Sequence, residues 1–128
     1  MLPAQHRLTR GDDLRLVVRR GRRHGSDTLV VHLLTGGAAE TGQATAPPRV
    51  GLVVGRAVGN SVLRHRVQRQ LRHLCRDRLD RLPAGSRLVV RALAPAGPAT
   101  YQELGADLDR CLQRALDAER RAEPGTVS

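Results

Sequence analysis

The sequence predicts an α+β fold in which helices pack on a small β-sheet. Its 128 residues alternate stretches of helical apolar spacing with short, β-branched apolar stretches, in the order α-β-β-α-β-α. A chain of this length fits one domain that buries about two-thirds of its unfolded surface. We therefore predict a two-layer sandwich in residues 1–122, followed by a frayed tail at 123–128.

The first helix is expected to begin at a capping box that opens with Thr9 and to end at Gly21. Its apolar residues Leu14, Val17 and Val18 share one helical face.

Three strands are predicted, at 28–34, 49–54 and 87–93. A flexible connection rich in Gly, Ala, Thr and Pro, at 36–48, separates the first two strands. The second strand is continuously apolar after Arg49, which is typical of a strand covered on both faces, although Gly51 and Gly55 weaken the pattern.

The longest predicted helix starts at the favoured cap Asn60 and continues to Leu82, because Pro83 and Gly85 would end it. A last helix repeats apolar residues at helical spacing from Leu104 to Leu116. Cys75 and Cys111 fall on the apolar stripes of these two helices, where a reduced thiol serves as a small hydrophobic group.

Charge defines the class of partner. The chain carries 22 basic residues against 12 acidic ones, for a net charge of +10, and every basic residue is an arginine. Positions 1–25 hold seven Arg and two Asp, and positions 49–91 hold eleven Arg and two Asp. Two concentrated basic blocks are typical of a surface that binds a phosphate backbone.

The long helix has one apolar and one cationic side. At 100° per residue from Val67, the apolar residues lie within about 80°; they are Leu63, Leu71, Leu74 and Cys75. Basic residues lie at roughly 140° to 200°; they are His65, Arg69, Arg72 and Arg76. A solvated helix surface would mix charges of both signs, and only Asp77 and Asp80 oppose these arginines. Phosphate contact is the favoured interpretation.

The run from Arg49 to Arg72 resembles the signature of the bacterial ribonuclease P protein family, which includes an Arg-Asn-Arg helix start. Arg64, His65 and Arg66 occupy those three positions, preceded by Asn60 and followed by further arginines. The similarity extends outward over 8–21 and 88–95, leaving only the connection at 36–48 and the tail.

The resemblance implies a four-stranded sheet with a left-handed βαβ crossover, a sense that topology rules alone would not choose. It also implies a subunit of a ribonucleoprotein in which a catalytic RNA holds the Mg²⁺ ions and removes the 5′ leader of precursor tRNA. A cytoplasmic location with no membrane partner is expected from the residues themselves, because the chain has no run of about 18 apolar residues and its first twenty residues hold five arginines without a signal-peptide core. The residues matching its catalytic-RNA surface are Arg56, Asn60, Arg64, His65, Arg66, Arg69 and Arg72.

The leader cleft of the family matches Leu14, Val18, Arg19 and His32 in this chain. The family offers aromatic residues there, whereas this sequence contains neither Phe nor Trp, so the cleft is expected to rely on apolar contact, His32 and arginine. His65 also replaces the central Asn of the motif. It keeps a hydrogen-bonding group at that position.

Other classes of function fit less well. An autonomous nuclease would need a cluster of carboxylates or a nucleophile with its base, and the sequence shows no such pattern; a protein catalytic residue or metal ligand is not expected. Gly51, Gly55 and Gly59 do not form a nucleotide-binding fingerprint. A structural RNA-binding protein, such as a ribosomal protein, would share the size and charge and is the alternative.

Overall fold

The computed structural model describes residues 6–8, 11–35 and 47–122. The helices are α1 (Gly11–Arg20), α2 (Ser61–Arg76) and α3 (Tyr101–Ala122). The strands are β1 (Arg22–Gly25), β2 (Leu29–Leu34), β3 (Arg49–Val53) and β4 (Arg87–Ala92). The α+β prediction is thereby confirmed.

The four strands form one mixed sheet in the order β1-β2-β4-β3. β2 pairs antiparallel with β1 and β4, while β3 pairs parallel with β4. The parallel pair requires a crossover, and α2 lies within it. The left-handed sense of that crossover stays a prediction.

The sheet has a hydrophobic core on each face. α2 and α3 cover one face, where Leu33, Leu71, Leu88 and Leu108 are among the fully buried side chains. The opposite face carries a smaller core of Leu8, Val17 and Val89, covered by α1. The two helical layers therefore lie on opposite sides of the sheet.

Gly51 shows why β3 needs a glycine at its centre. A Cβ at this position would lie 2.3 Å from Leu14 Cδ2 and 2.8 Å from the carbonyl oxygen of Leu8. The backbone of β3 is thus in direct contact with α1 and with the N-terminal segment. That segment also protects the outer edge of β3, because the Leu8 N–H donates to the Val50 carbonyl over 2.8 Å.

Several predicted boundaries were wrong. β1 was not predicted from the residue pattern, because it is short and polar and is exposed along most of its length. The long helix ends at Arg76 rather than Leu82, and a 3-10 turn at Leu79–Arg81 follows. Leu82 is extended, as expected for a residue that precedes proline. The second and third strands each end one residue earlier than predicted.

The prediction for the two cysteines is confirmed, whereas three other predictions concern residues outside the described ranges. Cys75 and Cys111 are free thiols buried in the larger core, as predicted, and burial raises the pKa of Cys75 to about 12. The Thr9 cap, most of the 36–48 connection and the 123–128 tail lie outside the described residues.

Candidate RNA interface

The basic surface is built on α2, whose start is fixed by Asn60. The Asn60 Oδ1 accepts a hydrogen bond from the Leu63 N–H over 2.9 Å, which satisfies one of the unpaired donors of the first turn. Val67 and Leu71 are fully buried against the sheet. This packing turns His65 and Arg69 outward, and both are exposed. Asn60, predicted as an RNA contact, thus has a structural role in the protein itself.

Two arginines that follow α2 are neutralised by α3. Arg78 donates to both carboxylate oxygens of Asp109, over 2.6 Å and 3.1 Å, and a third hydrogen bond joins Arg78 to the Leu74 carbonyl over 2.9 Å. Arg81 donates to the same carboxylate over 2.8 Å. The hydrogen bond from Arg78 is the main reason that the pKa of Asp109 lies below its usual value. These two arginines therefore belong to the fold.

The other arginines of the predicted surface differ in whether the protein itself binds their guanidinium groups. Arg66 donates to the Gly97 carbonyl over 2.5 Å, so its guanidinium is held toward the loop before α3. Arg56, Arg69 and Arg72 make no hydrogen bond or ion pair within the described chain. Arg64 is half-buried, and its Nε has no partner among the described residues. Unpaired guanidinium groups remain available to phosphate.

A surface cavity of about 390 Å³ lies along this helix and is lined entirely by polar side chains. Its lining residues are His65, Gln68, Arg69, Arg72 and His73. Gln68 and His73 were not predicted as site residues. Helical spacing could have identified Gln68 as a site residue, because it lies about 100° from Val67 and therefore next to the cationic side of the helix.

A second groove, of about 200 Å³, joins the first at Gln68 and Arg72. It is lined by Arg7, Leu8, Leu14, Val50, Leu52, Gln68 and Arg72. Leu14, predicted for the leader cleft, therefore lines the same groove as Arg72, predicted for the catalytic-RNA surface. The two predicted surfaces meet at this groove, at the β3 edge of the sheet.

The remaining cleft residues lie on α1 and on the sheet face that α1 covers. Val18 is 42% exposed and Arg19 is exposed. His32 is 5% exposed and lies in register between Arg23 and Val89 on the neighbouring strands. Stacking of His32 on a base would therefore require side chains around it to move.

The environment of His32 favours the neutral imidazole. Burial, and then the nearby guanidinium groups of Arg23 and Arg91, lower its pKa below 6.5. Its Nδ1 is buried without a hydrogen-bond partner among the described residues. Neither arginine makes a hydrogen bond or ion pair within the same residues, so both offer positive charge on this face. Sequence reasoning missed them because β1 was not predicted and because Arg91 lies in a buried strand.

Three arginines on or near α3 are paired instead. Arg22 donates to Glu119 over 3.0 Å, and Arg110 and Arg120 form ion pairs with Asp107 and Asp117 on the preceding turn of α3. The acidic residues of α3 thus offset the local positive charge. Positive charge without a partner is concentrated on α2 and on the α1 side of the sheet.

Two further observations concern metal ions and membranes. Over the described ranges, no group of three or more His, Cys, Asp or Glu side chains is arranged to hold a metal ion. None of the helices in this part of the chain is both long and apolar enough to cross a bilayer.

An α+β sandwich with an arginine-rich crossover helix is typical of a small RNA-binding protein. The model of the family described as Ribonuclease P matches residues 2–116. The chain is 52% identical over 123 residues to the ribonuclease P protein component of Streptomyces griseus subsp. griseus, covering 94% of this chain and 100% of that relative. With the same component of a Nocardioides species, it is 54% identical over 114 residues, covering 89% and 94%.

Solved structures agree with the fold. The RNase P protein of Staphylococcus aureus superposes with a TM-score of 0.74 at 22% identity, covering 86% of this chain and 94% of that one. The Thermotoga maritima protein gives 0.69 at 22%, covering 84% and 96%. The chain belongs to the ribonuclease P protein family and is a protein subunit of that endoribonuclease. The prediction of the family is confirmed, and the ribosomal alternative is set aside.

Proposed function

We propose that α2 binds the catalytic RNA of ribonuclease P through its unpaired basic face. The observation that carries this proposal is the difference between arginines: Arg78 and Arg81 are bound to Asp109, whereas Arg69 and Arg72 line a polar cavity with no counterion in the described chain. A phosphate backbone would supply the missing negative charge, releasing condensed counterions on binding.

We also propose that the single-stranded leader of precursor tRNA passes over the α1 face of the sheet. Exposed Val18 offers apolar contact, and Arg19, Arg23 and Arg91 supply positive charge nearby. The proposal is supported by the position of α1 on the sheet face opposite α2 and α3. One subunit could then contact two RNA molecules at once.

In this proposal the RNA subunit holds the catalytic Mg²⁺ ions and performs the cleavage. The protein lowers the electrostatic repulsion between two polyanions, so that the substrate binds more tightly and less Mg²⁺ is needed. Cleavage takes place in the cytoplasm, where precursor tRNA is made.

Reconstitution tests the proposal. The cognate RNA is assayed for 5′ cleavage of precursor tRNA at several Mg²⁺ concentrations, with and without the full-length protein. We expect faster cleavage at low Mg²⁺ when the protein is present, and no cleavage by the protein alone. The control is the RNA at high Mg²⁺, where screening by the ions should make the protein less important. Cleavage by pure, RNA-free protein would overturn the proposed division of labour.

A further inference from the structure

The seam between α2 and α3, with the turns next to it, is joined by several contacts that follow the two helices in the same order. The hydrogen bond from Arg66 to the Gly97 carbonyl and that from Arg78 to Asp109 both join residues 31 apart in the sequence. Leu74 and Gly105 have the same spacing, and a Cβ at Gly105 would lie 3.2 Å from Leu74 Cδ2. The two helices therefore run side by side in the same direction, at close approach. Gln70 and Tyr101, the first residue of α3, each lie four residues before the Leu74–Gly105 contact, so parallel helices should bring Gln70 close to Tyr101.

Both residues have unused binding capacity. Tyr101 is the chain's single residue of the Phe, Tyr and Trp types, and it is 42% exposed at the start of a helix that buries most of its apolar residues. The Oε1 of Gln70 has no hydrogen-bond partner within the described chain. A buried acceptor without a donor is unfavourable, so a ligand that supplies a donor would be stabilised there.

The charges around the seam favour an anionic ligand. Arg66 lies on the same side of α2 as Gln70, and Arg69 follows at about 100° around the helix. Asp109, the carboxylate next along the seam, is already shared by Arg78 and Arg81. Glu103, on the first turn of α3, is turned back to accept a hydrogen bond from the Thr100 N–H over 3.0 Å. An exposed aromatic ring with arginines on the adjacent helix is the combination that binds an unpaired nucleotide.

We propose that this seam binds an unpaired nucleotide of the catalytic RNA, with the base stacked on Tyr101 and a polar group of the nucleotide bonded to Gln70. The inference rests on the proposed binding of that RNA by α2, and it extends the contact surface onto α3. The catalytic RNA is favoured over precursor tRNA because the seam lies on the sheet face opposite the α1 cleft.

Substitutions at Tyr101 test the stacking. Affinity of the full-length protein for its catalytic RNA is measured at fixed salt for the wild type, Tyr101→Phe and Tyr101→Leu. Phe keeps the ring and should keep the affinity, whereas Leu keeps apolar bulk without the ring and should weaken binding by about fivefold or more. Melting of the free proteins shows whether either change disturbs the fold. Equal affinities of the Phe and Leu variants would overturn the stacking proposal.

Two controls separate this proposal from the broader one. If Arg69→Ala weakens binding of the catalytic RNA and Tyr101→Leu does not, the seam proposal is overturned while α2 remains the RNA surface. If neither weakens binding, both proposals are overturned.

The source of the nucleotide is identified by a photo-crosslinking amino acid placed at position 101 in the assembled enzyme. Crosslinks to an unpaired segment of the catalytic RNA are expected. Crosslinks to precursor tRNA alone, or to protein alone, would contradict the proposal, and this experiment decides the matter if Tyr101→Leu proves unstable.

Discussion

Arg69 and Arg78 differ by nine positions on the same basic segment, yet the structure predicts opposite effects for their replacement by Ala. Each change removes one positive charge. Arg78 is bound to Asp109 and to the Leu74 carbonyl, whereas Arg69 is exposed with no partner in the described chain. Arg78→Ala should therefore reduce stability, and Arg69→Ala should reduce RNA binding.

The magnitudes follow from these contacts. The Arg78 side chain is 19% exposed, but Asp109 is 46% exposed, so solvent screens the pair and lowers its value. We expect Arg78→Ala to lower the free energy of unfolding by about 1 to 2 kcal/mol, a fall in Tm of about 3 to 10 °C. Arg69→Ala should change stability by less than about 0.5 kcal/mol.

RNA binding should show the reverse. Losing one phosphate contact at Arg69 should weaken assembly by about 0.5 to 1.5 kcal/mol and reduce the slope of log affinity against log salt by roughly 0.7 to 0.9. Arg78→Ala should leave that slope unchanged. The assays are thermal melting of the free protein and RNA titration at four or more salt concentrations, below the Tm of every variant. The reasoning fails if Arg78→Ala, still folded, reduces the salt slope as much as Arg69→Ala does.

Two further predictions concern the α1 face of the sheet. Val18→Asp should leave assembly with the catalytic RNA intact. It should lower affinity for precursor tRNA more than for mature tRNA, because the carboxylate repels leader phosphates. An unchanged ratio of precursor to mature tRNA affinity at fixed salt would show that the leader passes elsewhere. His32 has a lowered pKa, so the unfolded chain takes up its proton first, and stability should decline as pH falls below about 6.5. Chemical denaturation from pH 7.5 to 5 should show a shallower decline in the free energy of unfolding for His32→Gln than for the wild type. Some pH dependence should remain from His24, whose pKa is also lowered, first by burial and then by Arg114. Parallel curves for the two proteins would refute this account of His32.

Part of the candidate site could be predicted from local sequence. The Asn60 cap, the buried stripe of Val67 and Leu71 and the outward position of Arg69 all follow from spacing within one helix. The resemblance carried by Arg49 to Arg72 gave the family, since a motif of that length is itself a local property. These conclusions needed no knowledge of how the helices pack.

Other features depended on contacts between distant residues. β1 is too short and polar to be recognised by its pattern, and it is a strand because its residues pair in register with β2. His32 shares a sheet face with Arg23 and Arg91 for the same reason, which explains its lowered pKa and its burial.

The sequence by itself determined that the chain is strongly basic, that its arginines concentrate on one side of a long helix and that it resembles ribonuclease P proteins. Only the tertiary structure decided which arginines are available. Arg78 and Arg81 are neutralised because α3 packs beside α2 and brings Asp109 to them, and Arg66 is held by a carbonyl 31 residues away. Helical periodicity describes which way a side chain points from its own helix. Whether a carboxylate meets it there depends on the packing of another element, which no local pattern specifies.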